Sequence, residues 1–597
     1  MFLPLAALIL ATPLEGPADA APAKSLRLGD RLASAEFKDI RYLRRNLQDL
    51  GAYQALALVF HTAGCPLAQR TWPSLVEIEK TYRGRGVKFL AVNVGADDDL
   101  REIARLAIDF NVPFPIVKDE GAKVAARLGV AHVPTVALLD KSGSLRYRGR
   151  VDDRVRLGGE KPNATRADLR EAIEDVLAGT AVRVPETLVD GCGIAFPGDS
   201  ETEPPARVDY ATGVGPILKR QCQDCHRKGG AAPFTLASFA DASAHAATIA
   251  EVVADRRMPP WYGSDSAKFV NHRALSDSER KTVLDWVRGG RQEGDSSKAP
   301  APLPPIENGW TIGAPDRIIE MVGKHDLPAT GIVDYKYVVL PAVFTYDTWV
   351  EGVEIRADNP AVLHHCNLGC VQIGGDVKRP RFVTGKVPGG QAMTVEPGVA
   401  FRIPAGAVLG LQAHYVTTGK PETCKLSVGL RYARTTVKKE LRHLQIANTR
   451  FTVPPHAPFH EVNAERTLPV DAVGVGMFAH MHLRARDMLF KAELPDGKRE
   501  ELLCIPNYNF DWQQAYVYDP AKPKALPKGT KIRCTVHYDN TAFNPYNPDP
   551  NVEVKEGQQT ADEMLYGFYF YVAATENLGL SIDPKTGAAK NASEKRP

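Results

Sequence analysis

Ala55-Leu56-Ala57-Leu58-Val59-Phe60-His61-Thr62-Ala63-Gly64-Cys65-Pro66 is an apolar run of strand length that ends in a small-residue turn, a cysteine and a proline. Proline suits the first turn of a helix, and a helical pattern follows as far as Tyr82. Working outward, a second apolar run, Val87 to Val94, precedes another helical stretch from Asp98 to Phe110. Strands alternating with helices of this length predict a parallel α/β sheet. Further on, Gly129-Val130-Ala131-His132-Val133-Pro134-Thr135 leads into a strand at Val136 to Leu139. Lys141-Ser142-Gly143 then turns the chain into Leu145 to Arg150, and a helix from Arg166 to Leu177 closes the unit.

A cysteine at a strand-to-helix turn, with Val133-Pro134-Thr135 before a later strand, resembles the thioredoxin superfamily and its redoxin or peroxiredoxin-like branch. The resemblance covers about residues 25 to 185. It implies that Pro134 is a cis proline facing the thiol and that Cys65 is the reactive residue. A helix N-terminus favours a thiolate and lowers its pKa. Two departures bear on the chemistry. Ala68 stands where a CxxC motif has its second cysteine, so exchange within the motif is impossible. Thr62 matches the threonine of a peroxiredoxin TxxC, but Leu58 replaces its proline. Cys192, in Asp190-Gly191-Cys192-Gly193, is the other cysteine nearby, able to resolve a Cys65 sulfenate or to pair with Cys65. A statically paired or inert Cys65 is the competing expectation.

After a proline- and acid-rich linker (Pro197 to Pro205) comes Gln221-Cys222-Gln223-Asp224-Cys225-His226, with helical residues Val214 to Arg220 before it. This CxxCH is the c-type haem attachment pattern: two thiols bind the vinyl groups and the next histidine ligates iron. Met258, in Arg257-Met258-Pro259-Pro260-Trp261, is the expected sixth ligand; His245 and His272 are the alternatives. The run Leu275 to Gly290 resembles the closing helix of small bacterial cytochrome c domains. One covalently bound haem c in a small all-α domain, residues 206–295, is therefore expected. The proline-rich stretch at 296–308 reads as a semi-rigid spacer.

The densest concentration of chemistry lies in the last half, in Leu363-His364-His365-Cys366, Gln412-Ala413-His414-Tyr415, Ala479-His480-Met481-His482 and Asp562-Glu563-Met564. Five imidazoles and a thioether suffice for two separate copper sites, and this soft donor set suits Cu(I). Alternating patterns such as Val333 to Val339 and Thr348 to Ile355 predict β-sandwiches. The motif order HH, QxHY, HxH, DEM resembles the copper type II, ascorbate-dependent monooxygenases, the family of peptidylglycine alpha-hydroxylating and dopamine beta-monooxygenases. The match spans about residues 309 to 575. It implies two jelly-roll-like sandwiches, here 309–445 and 446–580. It implies His364, His365 and His414 on an electron-storing copper, and His480, His482 and Met564 on the oxygen-binding copper. The implied reaction is hydroxylation of a C–H bond with O2. Phe478 stands where the peptide hydroxylase has an arginine, and Leu565, Tyr566 and Phe568 follow the DEM, so an apolar or aromatic substrate is favoured over a peptide. His537 matches no ligand position and reads as structural. Disulfides are expected in an oxidising compartment; Cys370 with Cys424 is the preferred pair, and Cys504 and Cys534 lie in neighbouring strand-like segments.

At 597 residues the chain needs several domains. Its net charge of +3 carries no basic stripe, so no nucleic acid is expected as partner. Phe2 to Ala11 is apolar and leads to Ala18-Asp19-Ala20, an export signal pattern over residues 1–20. No later run reaches the length of a membrane span. The resulting expectation is an exported bacterial protein, periplasmic or extracellular. It would act as a copper monooxygenase on a small organic substrate, with O2 and an electron donor, either an ascorbate-like reductant or the fused haem. The alternatives are a copper-binding or electron-transfer protein without hydroxylation, and a thiol peroxidase or oxidoreductase centred on Cys65.

Overall fold

The computed structural model describes residues 25–156, 159–160 (backbone only, as for 156), 164–196, 206–230, 232, 234–264, 269–306, 310–331, 333–374, 381–387, 390, 392–510 and 512–590. The expected signal segment, the linker at 197–205 and part of the spacer at 296–308 lie outside these residues. The chain forms two compact units. One comprises Met1–Glu36, Ala52–Ala96 and Asp119–Asp199; the other comprises Phe37–Gly51, Asp97–Lys118 and Ser200–Pro597.

In the first unit the strand Ala55–His61 is buried along its whole length, as its unbroken apolar sequence requires. It pairs in parallel with Val87–Asn93, the two being joined by the helix Pro66–Tyr82. On its other side it pairs antiparallel with Thr135–Asp140, which pairs antiparallel with Leu145–Gly149. The sheet is therefore mixed, not parallel as expected. The last two strands are joined by a tight turn at Gly143 (φ 81°), and strands so closely linked pair antiparallel. The helix Asp168–Leu177 completes the unit.

Among the described residues of 206–295 in the second unit, Gly215–Gln221, Phe239–Ala244, Ala246–Ala254 and Asp277–Arg288 are α-helices joined by irregular chain. The last starts at a capping box, Ser276 with Glu279, and buries Val283 and Trp286 in a core shared with Tyr210, Leu218 and Ile249.

Beyond residue 310 the chain is β-sheet-rich. In the first region, Arg317–Glu320, Leu426–Tyr432, Thr348–Ala357, Val399–Ile403 and Lys439–Glu440 follow one another in one sheet. Lys336–Val343, Ala407–Tyr415, Leu363–Gln372 and Arg381–Lys386 form another. Val350, Val353 and Ile355 from the first sheet share one core with Leu368, Leu409 and Leu411 from the second. The second region repeats the plan. Arg442–Asn448, Leu565–Ala573, Ala472–His480 and Ala515–Val517 form one sheet; His460–Thr467, Lys531–Tyr538, Ala485–Glu493 and Arg499–Ile505 form the other. The expected boundary at 445/446 falls inside the strand Arg442–Asn448. Ile582 returns from the C-terminal segment to pack with Trp349, Ala400 and Val437 of the first region.

Two cysteine expectations change. Cys370 and Cys424 are free thiols, and Cys424 has Cys366 as its neighbour, whereas Cys370 faces Arg381 and Arg402. Cys504 and Cys534 are not on adjacent strands: Ala485–Glu493 runs between theirs. Cys504 lies opposite Leu489 and Cys534 opposite Phe490, so the two thiols emerge on opposite faces of the sheet.

Candidate functional site

In the first unit Cys65 caps the helix Pro66–Tyr82 and forms a disulfide with Cys192, 127 residues later, with the two Cα atoms 6.2 Å apart. Cys192 and Gly193 form a short strand against His132–Val133, with Cys192 opposite Val133. The Val133–Pro134 peptide bond is cis, as the resemblance implied, and the Val133 carbonyl lies 3.8 Å from Cys65 Sγ. A Cβ at Gly191 would collide with that carbonyl, so glycine is what lets Cys192 approach. Cys65 is 2% exposed while Cys192 is partly exposed, and Ala68 is buried in the first helical turn. Of the two fates considered for Cys65 and Cys192, direct pairing is the one observed.

The histidines gather in the second unit. Leu363–Gln372 and Ala407–Tyr415 are antiparallel neighbours, and His365 lies opposite His414. Consecutive strand residues normally face opposite ways, but the register shifts between Leu363 and His365. One ring nitrogen from each of His364, His365 and His414 lies within 4.8 Å of the others. His480 ends the strand Ala472–His480 and His482 lies just beyond it, with ring centres 5.2 Å apart. His365 and His480 have ring centres 6.0 Å apart, and the Phe510 ring packs against His364, His365, His414 and His482. The two expected groups, His364, His365 and His414 on one hand and His480 and His482 on the other, are neighbours.

Most of these rings are held from behind, as metal-ligating histidines are. Tyr335 Oη is 2.8 Å from His365 Nε2, Gln513 Oε1 is 2.8 Å from His480 Nδ1, and the Asp562 carbonyl is 3.1 Å from His482 Nδ1. Among the described residues His482 Nε2 is buried without a hydrogen-bond partner. Burial is the main cause holding His365 well below the usual imidazole value, with the neighbouring histidines adding to it. Burial likewise lowers His480, and takes His482 down to about 3. Neutral imidazoles keep a lone pair for a metal, so this donor set fits one. Glu563, fully buried, accepts from the backbone N–H of His482 (3.1 Å) and Arg484 (2.6 Å), which ties the chain next to Met564 to the HxH segment. Burial pushes the Glu563 carboxyl up to about 8, against the opposing pull of those donors and the Arg484 charge.

Tyr335, Gln513 and Phe510 were not singled out from sequence, and Glu563 entered only as the middle of the DEM motif. Tyr335 read only as part of an alternating strand pattern, and Gln513 lies on a loop with no diagnostic spacing. His537 is structural, as expected: it stacks on Phe459 (3.8 Å) and is 2.7 Å from Asp487 Oδ1. Phe478 packs with Phe382 and Phe568 in an apolar cluster flanked by Tyr566 and Phe570, while Leu565 is buried.

At the CxxCH, Cys222 and Cys225 are free thiols, and burial pushes Cys222 up to about 12. His226 Nδ1 is 3.1 Å from the Phe234 carbonyl, which leaves Nε2 for iron, so these residues fit a covalently attached haem. Arg273 Nη1 lies 3.4 Å from Cys225 Sγ. Met258 precedes a cis Pro259, His245 stacks on Phe234 and His272 packs edge-on to Trp261.

Residues 28–148 match the AhpC/TSA family. The thiol-disulfide oxidoreductase ResA of Geobacillus thermodenitrificans is 35% identical over 89 residues, 15% of this chain and 50% of that protein. ResA of Halalkalibacterium halodurans is 26% identical over 119 residues, 20% of this chain and 66% of that protein. The chain thus spans about half to two thirds of the length of these curated relatives. A solved structure of a hypothetical protein from Sinorhizobium meliloti 1021 is 28% identical, covers 29% of this chain and 97% of its own, and has a TM-score of 0.27. Among the described residues no helix is long and apolar enough to cross a membrane. The N-terminal part of the chain is a redoxin domain of the thioredoxin-like kind.

Proposed function

We propose that the redoxin domain is a thiol–disulfide oxidoreductase whose working couple is Cys65 and Cys192. The observation that carries this reading is the disulfide itself, formed at a helix N-terminus and pinned beside Val133. A substrate thiolate attacks the more accessible Cys192 sulfur, the Cys65–Cys192 bond breaks, and Cys65 leaves as a thiolate favoured by the helix dipole. A second substrate thiol then displaces Cys192, so two substrate thiols are oxidised to a disulfide and the protein pair is reduced; the reverse sequence reduces a substrate disulfide. ResA-like relatives support the thiol–disulfide reading over a peroxidase, as does the burial of Cys65. The test is exchange of the full chain with glutathione in native buffer. Oxidation and reduction should both proceed, Cys192→Ser should abolish them, and Cys65→Ser should trap a mixed disulfide on Cys192. A bond that reduces only in denaturant would leave it a structural cross-link.

A second reading is favoured by the histidine cluster: the second unit is a copper-dependent monooxygenase acting on a small organic substrate, fed through a c-type haem, in an exported protein. His364, His365 and His414 would hold one copper, and His480, His482 and Met564 the other; Cys222, Cys225 and His226, with Met258, would hold the haem. Bound copper would supply the one-electron chemistry with O2 that C–H hydroxylation requires. The protein's part is to keep the imidazoles neutral by burial, to orient them through Tyr335, Gln513 and the Asp562 carbonyl, and to exclude water with Phe510. The aromatic group around Phe478 supports an apolar substrate. Metal analysis, copper EPR and a haemochrome spectrum test it, with substrate-dependent O2 uptake separating hydroxylation from simple electron transfer. A chain that binds no copper, or that loses none in His365→Ala and His482→Ala, sinks this reading.

A further inference from the structure

We propose that the junction between the segments Met258–Tyr262 and Gln513–Tyr516 is the electron path from the haem motif to the His480 site. This rests on the second reading above. Gln514 Nε2 donates to the Pro260 carbonyl at 2.8 Å, and the adjacent Gln513 places Oε1 2.8 Å from His480 Nδ1. Pro260 is two residues from Met258, the expected axial ligand. Covalent bonds interrupted by only two hydrogen bonds therefore join Met258 to the His480 imidazole. Beside this route the buried Trp261 ring lies 5.1 Å edge-on from the buried Tyr516 ring, which belongs to the strand paired with Gly476–Phe478, just before His480. On its other side Trp261 lies 4.9 Å from the ring of His272, and the next residue, Arg273, reaches Cys225 Sγ.

The junction is built to stay closed. Asn271 donates to the Ala515 carbonyl at 2.7 Å and accepts from the Val517 N–H at 3.0 Å. A Cβ at Gly263 would come within 2.5 Å of the Tyr516 ring, so only glycine permits the approach. Electron tunnelling falls off much faster across empty gaps than along bonds and hydrogen bonds, and this junction offers a bonded route. With haem on Cys222, Cys225 and His226 and copper on His480, His482 and Met564, the step would be a one-electron exchange, iron going from ferrous to ferric and copper from cupric to cuprous, with no bond broken and no proton moved.

The test uses the full chain loaded with haem and copper, its haem reduced rapidly by pulse-generated methyl viologen radical. Haem reoxidation is followed in the visible band and copper reduction by loss of its EPR signal. In Gln514→Met the intramolecular phase should slow several-fold, with the haem midpoint potential and copper EPR spectrum unchanged. Trp261→Leu, which removes the ring contact, should slow it too, and Trp261→Phe should restore most of the rate. Rates unchanged within experimental error in both Gln514→Met and Trp261→Leu, with haem and copper present, overturn the path and leave the monooxygenase reading standing. A chain that takes up no haem or no copper overturns both.

Discussion

Breaking the Cys65–Cys192 disulfide should weaken the redoxin domain by several kcal/mol, and the size follows from the chain. The bond closes a segment 127 residues long. Loop-closure entropy for that length gives about 5 kcal/mol at 25 °C, the top of the about 2–5 kcal/mol range for native disulfides. The helix dipole opposes this by stabilising the Cys65 thiolate of the reduced form, but only by about 0.3–1 kcal/mol. By thermodynamic linkage the fold stabilises the bond as much as the bond stabilises the fold. At about 30 mV per 1.4 kcal/mol, the folded couple should sit roughly 100 mV below the same cysteines in the unfolded chain. Two assays on the full chain check it. Native-state hydrogen exchange of the Ala55–His61 amides should show protection falling by about three orders of magnitude on reduction, or in Cys192→Ser. Glutathione equilibration in buffer and in urea should show the offset in potential. Equal protection in oxidised and reduced protein, with no offset, would refute the reasoning.

Other outcomes follow from particular contacts. Gly191→Ala forces a methyl into the Val133 carbonyl and should cost about 1–3 kcal/mol, read by the same exchange experiment. Gln513→Leu removes the group holding His480 and should weaken copper binding about 10–100-fold in a chelator competition, while Gln513→Glu, which keeps the acceptor, should retain most of it. In the denatured, haem-loaded chain, thiol titration without reductant should find Cys366, Cys370, Cys424, Cys504 and Cys534, with Cys65 and Cys192 appearing only after reduction. Burial lowers His443 to about 4, so the unfolded chain takes up a proton near pH 6.5 that the folded chain refuses until near pH 4. Stability should therefore hold above pH 6.5 and fall by about 3 kcal/mol as pH drops through that window, and His443→Phe should flatten this part of the profile in urea titrations.

Local patterns determined much of this protein. The unbroken apolar run before Cys65 specifies a fully buried strand because both faces of a central strand must be covered, and Pro66 marks the helix start. Ser276 and Glu279 announce their helix because capping is a local hydrogen-bonding event. The CxxCH, HH, HxH and DEM groups were visible because ligands one or two residues apart carry their own geometry. Tertiary structure decided what depends on contacts distant in sequence. The pairing of Cys65 with Cys192 instead of its inertness rests on a two-residue strand meeting Val133 and on the missing side chain of Gly191. The mixed sheet follows from which edge the Thr135–Asp140 strand joins, and the opposite faces of Cys504 and Cys534 from the strand between them. The joining of five histidines around Phe510, with Tyr335 and Gln513 behind them, required sheets and a loop to converge. Periodicity tells a residue which face of its own element it occupies, but not which other element that face will meet.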